Sequence, residues 1–223
     1  MTYNMWDKEP EKLKFDKMTE KQKLLLTKNK SFCMLPWIHL HAYPDGRAYP
    51  CCFSFDPFPV GDLNKQSLKE VWEGDKMKQL RKNMLKGVTS RECVKCYEQE
   101  ESGFFSLRLS SNKHFGHNIS LVENTTPEGD ADFMIKYWDI RFSNLCNMAC
   151  RSCGTWFSSN WYEDHKKLTG SPPPHAKIMK VGRSTNDMWE QMLESFEHTE
   201  QFYFAGGEPI IMEEHYRILK ELD

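Results

Sequence analysis

The sequence predicts a mixed α/β chain. A small α+β unit with a β-hairpin comes first, and the opening β-α units of a parallel sheet follow. Three observations predict it. From Trp37 to Tyr43 the residues alternate, with Ile38, Leu40 and Ala42 on one side and His39 and His41 on the other. Pro44-Asp45-Gly46 then precedes Arg47-Ala48-Tyr49, and Asp-Gly between alternating runs supplies the positive φ values of a tight hairpin turn. The order strand, helix, strand, helix over 136–223 implies parallel strands.

Taken in order, residues 1–31 form a charged N-terminal segment with a helix expected around Glu20 to Lys28. The α+β unit is expected over 32–110. Within it Ser67-Leu68-Lys69-Glu70 fits a capping box, in which the hydroxyl and the carboxylate three residues on satisfy the first free amides. Gly74-Asp75 breaks that helix and starts another, with Met77, Leu80 and Met84 at helical spacing and Gly87 as its stop. The Ser-, Asn- and Gly-rich stretch 111–135 is expected to be a linker. Beyond it, Tyr137 to Phe142 reads as a strand, 154–168 as a helix, and 170–183 as a loop with three consecutive prolines. Asn186 or Asp187 would cap a helix through Phe196, Gln201 to Ala205 gives a second strand, and Pro209 opens a last helix.

Lys plus Arg total 30 and Asp plus Glu total 32, a formal net charge of −2. That balance argues against a polybasic nucleic-acid binder. No apolar run approaches the ~18 residues of a membrane span. The charged N-terminus does not read as a secretory signal, so the expected compartment is the cytoplasm.

Eight cysteines stand out, at 33, 51, 52, 93, 96, 146, 150 and 153. Clustered thiols in a reducing compartment more often bind metal or perform redox chemistry than form disulfides. Cys146-Asn-Met-Ala-Cys150-Arg-Ser-Cys153 has the spacing C-x3-C-x2-C. A closed zinc site would need a fourth ligand, for which His165 is poorly spaced. A 4Fe–4S cluster held by three cysteines leaves one iron open to an exogenous ligand. Cys33-x17-Cys51-x41-Cys93-x2-Cys96 offers four thiolates, with Cys33 and Cys51 brought together by the hairpin. They suit a closed zinc site or a fully ligated Fe–S cluster equally well. Cys52 is left over and reads as a buried apolar residue, while His39 and His41 read as the polar face of the hairpin.

The C-x3-C-x2-C, the strand Trp138-Asp139-Ile140-Arg141-Phe142 before it, and Gly206-Gly207-Glu208-Pro209 after the next strand together resemble the radical S-adenosylmethionine (radical SAM) superfamily. The resemblance implies the N-terminal part of a TIM-like radical SAM barrel over 136–223. Cys146, Cys150 and Cys153 would hold a 4Fe–4S cluster whose fourth iron is chelated by SAM. The backbone around Gly206, Gly207 and Glu208, ahead of Pro209, would accept hydrogen bonds from the SAM amino group. Reductive cleavage would give a 5′-deoxyadenosyl radical that abstracts hydrogen from a peptide or small-molecule substrate. Members usually carry a bulky apolar residue just before the third cysteine, where this chain has Ser152, so adenine packing would fall to Trp156 or Phe157.

Cys33-x12-Gly46-x4-Cys51, the Ser-Leu-Lys-Glu-Val-Trp helix and Cys93-x2-Cys96 resemble the auxiliary-cluster domain of such enzymes in its short "twitch" (half-SPASM) form. That resemblance implies one auxiliary 4Fe–4S cluster on Cys33, Cys51, Cys93 and Cys96, placed here before the barrel rather than after it. It also implies a flavodoxin- or ferredoxin-type electron donor. Two parallel strands cannot close a barrel, so a fragment, or one half of a split enzyme completed by a second chain, is expected. No residue stands out as a general acid or base. The rival readings are a non-catalytic zinc-binding structural protein and an electron-transfer Fe–S module.

Overall fold

A computed structural model of the chain describes residues 12–54, 57–182 and 188–223. The first helix, α1 (Glu20–Thr27), begins in a capping box between Thr19 and Gln22. A 3-10 turn, Leu35–Trp37, leads into the hairpin strands β1 (His39–Ala42) and β2 (Arg47–Tyr49). The short β3 (Gly61–Asp62) pairs with β2. Four helices follow: α2 (Leu68–Trp72), α3 (Asp75–Leu85), α4 (Val94–Glu101) and α5 (Leu107–Phe115). A 3-10 stretch, Gly116–Asn124, then leads towards β4 (Tyr137–Ile140). The remainder comprises α6 (Tyr162–Thr169), α7 (Met188–Phe196), β5 (Gln201–Phe202) and α8 (Glu213–Leu222).

The strands form one open, five-stranded mixed sheet in the order β3-β2-β1-β4-β5. The hairpin strand β1 runs parallel to β4, pairing His39 with Tyr137 and His41 with Asp139, and β4 runs parallel to β5. The first and second halves of the chain therefore share a sheet. One face of it carries Leu40, Ala42, Ala48, Trp138 and Ile140 into the hydrophobic core.

The hairpin turn differs from the expectation in its chemistry. Only Gly46 has positive φ (+91°); the Gly46 amide donates to the Tyr43 carbonyl, and the Tyr43 amide donates to Arg47. This is a type I turn with Pro44 leading and a glycine bulge closing it. A Cβ at Gly46 would lie 2.4 Å from the Asn64 side chain, so glycine is required twice over. The expected capping box at Ser67 and Glu70 forms, with side-chain to amide distances of 3.1 and 2.7 Å. Met77, Leu80 and Met84 are buried, and Gly87 at φ +71° ends α3.

Four expectations need correction. The helix expected over 154–168 starts only at Tyr162, after a turn and the 3-10 segment Ser159–Trp161. The stretch 111–135 is not an open linker, because α5 runs into it and Phe115, Ile119 and Val122 are buried in the core. The polar residues of that stretch serve internal contacts rather than solvation. His39 and His41 do not form a solvated face: both are buried, covered on the side of the sheet opposite Leu40. Regular strand ends sooner than expected, at Ile140 and Phe202, where the chain turns into loops carrying Cys146 and Gly206. The proposed caps Asn186 and Asp187 lie outside the described residues. Among the described residues no helix is long and apolar enough to cross a membrane.

Candidate metal centres

The parallel pairing of β1, β4 and β5 sets the positions of both cysteine groups. Cys146 follows β4 and Gly206 follows β5, so both lie at the carboxyl end of these strands, beside the Tyr43–Arg47 turn. Cys33 enters β1 from its amino end, and antiparallel β2 returns the chain to that same end before Cys51. The two groups thus flank opposite ends of the sheet.

In the first group, Cys33 and Cys96 are buried, and Cys51 and Cys93 are half-buried. Cys93 closes a 3-10 turn and Cys96 lies in the first turn of α4. Burial raises every thiol of the group, and at Cys33, Cys51 and Cys93 the charge of neighbouring thiols adds to it. Cys33 is pushed up to about 12, first by burial, with the Leu35 amide opposing and Cys96 reinforcing. Cys51 rises through burial and then through Cys93 and Cys33, and Cys93 through burial and then Cys33 and Cys96. Four thiols from three segments therefore share one electrostatic neighbourhood. Thiol-rich, carboxylate-free donor sets suit iron–sulfur clusters or zinc. Among the described residues no three His, Cys, Asp or Glu side chains are arranged to hold a metal ion, so the sulfurs are neighbours without converging on one point.

Residues that sequence reasoning passed over hold this neighbourhood together. Arg108, on α5, donates to the Phe32 carbonyl at 2.8 Å and the Asn29 carbonyl at 3.1 Å. One turn on, Asn112 accepts the Met34 amide at 2.8 Å and donates to Phe32 at 3.0 Å. The i, i+4 spacing puts both on the helix face that clamps the segment carrying Cys33. Arg108 also pairs with Glu100 on α4, the helix that carries Cys96. Only the helical spacing of Arg108 and Asn112 hinted at this.

The second group lies in a loop shaped by backbone contacts. The Met148 amide donates to the Cys146 sulfur at 3.4 Å, the Cys153 amide to Cys150, and the Trp161 indole to the Cys150 carbonyl at 3.1 Å. Cys146 and Cys153 are half-buried and Cys150 is exposed. Burial, then the charges of Cys146 and Cys150, raises the Cys153 thiol. Fully buried Asn144, just before the loop, accepts the Met179 amide at 2.8 Å and donates to Thr155 and Lys177 carbonyls.

Gly206-Gly207-Glu208 packs directly on this loop. The Gly207 amide donates to Ser143 at 2.9 Å and the Glu208 amide to Leu145 at 2.8 Å. A Cβ on Gly207 would stand 2.0 Å from the Leu145 carbonyl oxygen, and Gly206 adopts φ +121°. Only glycine allows this approach. Pro209 begins a 3-10 turn whose first free amide, that of Ile210, is taken by the Glu208 carboxylate. Trp156 and Phe157 line a cleft of about 450 Å³ together with Tyr43, Asp45 and Arg47. Cys52 lies in a turn rather than a strand; it is half-buried, near Asp139 and Arg141.

The SPASM family of iron–sulfur cluster-binding domains matches residues 33–97, a span that contains all four cysteines of the first group. This part of the chain is therefore similar to the iron–sulfur domains associated with radical SAM enzymes. Comparison with curated proteins and with solved structures found no match.

Proposed function

We propose that the chain is a radical SAM iron–sulfur enzyme with one auxiliary 4Fe–4S cluster. Cys146, Cys150 and Cys153 would hold the SAM-binding cluster, and Cys33, Cys51, Cys93 and Cys96 the auxiliary cluster. When bound, the first cluster and SAM would supply one-electron cleavage of SAM and hydrogen abstraction from a peptide or small-molecule substrate. Each role left to the protein belongs to a named group. The Ser143–Leu145 backbone and Asn144 fix the cysteine loop, and the Gly206–Glu208 backbone would orient the SAM amino group. Arg108 and Asn112 fix the approach of Cys33.

The observation that carries this reading is the contact between Gly207-Glu208 and Ser143-Leu145, immediately before Cys146. It brings the two motifs, some sixty residues apart, into one structure through a glycine that cannot be replaced. A zinc-binding structural protein has no need of that juxtaposition. The reductant would be a flavodoxin- or ferredoxin-type protein. The test is SAM cleavage by the anaerobically reconstituted chain under dithionite. Methionine and 5′-deoxyadenosine are expected from the wild type and not from Cys146→Ala/Cys150→Ala/Cys153→Ala. Absence of cleavage from a wild-type chain with full iron content would refute the reading.

A further inference from the structure

A buried hydrogen-bond donor stands unused beside the first cysteine group. Tyr97 follows Cys96 directly and lies one helical turn beyond Cys93, the residue just before α4. Long side chains on a helix lean back over the turn that precedes them. From position 97 that turn is the one carrying Cys93, and the polar neighbours of the hydroxyl are the Ser90 amide and the Cys93 sulfur. Tyr97 Oη is buried, yet it completes no hydrogen bond among the described residues. A buried phenol nearly always finds a partner, so this one calls for an acceptor.

The two neighbours differ in what they offer. An amide can only donate, so Ser90 leaves the phenolic proton unspent. A thiolate accepts, and hydrogen bonds to the sulfurs are one of the means by which a protein sets the potential of an iron–sulfur cluster. Burial raises the Cys93 thiol, and the Tyr97 hydroxyl opposes it by favouring the ionised sulfur. Ser106, the hydroxyl beside Cys96, already donates to Glu100, so its proton is committed elsewhere. The Tyr97 proton is not.

We propose that the Tyr97 hydroxyl donates a hydrogen bond to the Cys93 thiolate of the first-group cluster and raises the reduction potential of that cluster. The inference rests on the reading of this group as a cluster site, within the iron–sulfur domain match that ends at Tyr97. Reduction adds one electron, taken from the flavodoxin- or ferredoxin-type donor, and makes the sulfurs more negative. The hydrogen bond favours that state over the oxidised one, and the phenol keeps its proton throughout.

Potentiometric titration of the reconstituted full chain, followed by electron paramagnetic resonance, reads both clusters. Tyr97→Phe keeps the ring and removes the donor. It is expected to retain the wild-type iron content, to move one of the two transitions to a more negative potential and to leave the other in place. The same shift is expected in the Cys146→Ala/Cys150→Ala/Cys153→Ala background, which keeps only the first group. The Fe–S stretching band of that cluster in resonance Raman spectra, lowered by a hydrogen bond to sulfur, is expected to rise. Transitions that both stay, or both move, in a fully loaded Tyr97→Phe chain would overturn the inference and leave the cluster reading standing. Iron lost from the first group of Tyr97→Phe would give the hydroxyl a structural role instead and overturn it too. A wild-type chain that loads no iron on the first group would overturn both readings. If the triple-alanine background does not fold, the full chain decides alone.

Discussion

Arg108 ties together two segments that each carry a cysteine of the first group. Its Nε donates to Glu100 Oε1 at 2.9 Å, and its Nη1 donates to the Phe32 carbonyl at 2.8 Å. The guanidinium is buried, and Glu100 is mostly so. Removing it leaves the Asn29 carbonyl and Glu100 Oε2 without that donor, while the Phe32 carbonyl keeps Asn112 and Glu100 Oε1 keeps Ser106. Truncating one partner of a buried pair costs about 3–5 kcal/mol. Arg108→Ala is expected to lower the unfolding free energy measured in urea by that order and to lose iron from the first group before the second. Lysine should rescue poorly, because a point charge cannot reach acceptors on both sides as a planar fork does. Chemical denaturation and iron analysis of the two variants check this.

Gly207→Ala places a Cβ against the Leu145 carbonyl, at 2.0 Å if nothing moves. The neighbour is backbone, so the cysteine loop must shift. The expected outcome is a chain that still folds and keeps the first group loaded but loses iron from Cys146, Cys150 and Cys153. Iron content with each cysteine group deleted in turn separates the two sites.

Glu200 sets an acid limit on stability. Burial opposes its ionisation, but hydrogen bonds from Asn118 and His117 and the charges of His117 and Lys136 bring it down to about 2. A folded pKa below the unfolded value near 4.5 contributes stability that is fully present above about 4.5 and is lost as pH falls towards about 2. Glu200→Gln should therefore be less stable than wild type at neutral pH, and the gap should close over that window. Thermal unfolding of both chains between neutral pH and the acid limit measures it.

Ser67→Ala removes one half of the capping box at the start of α2. A loss of about 1 kcal/mol is expected, with no change in metal content, as read by denaturation and iron analysis. This variant is the control for the two above.

Much of this was legible because it is local. The capping box, the spacing of Met77, Leu80 and Met84, and the hairpin each depend on residues within a few positions of one another. What was missed depends on long-range pairing. His39 and His41 look like a solvated face until Tyr137 and Asp139, 98 residues on, supply partners for their Nδ1 atoms. Asn112 and Asn118 gave 111–135 the composition of a linker, yet Asn112 is fully buried and Asn118 nearly so, each bonded to a distant segment. Polarity in those stretches served internal acceptors rather than water. The cysteine spacings were legible, but their placement at opposite ends of the sheet required the parallel pairing of β1 with β4.

The central claim is that two separate cysteine groups each hold a 4Fe–4S cluster. It is tested most directly by counting iron, sulfide and zinc per anaerobically reconstituted chain, with and without Cys146→Ala/Cys150→Ala/Cys153→Ala. About eight irons, falling to about four in the triple variant, is the predicted result. Zinc with little iron in the wild type would contradict it.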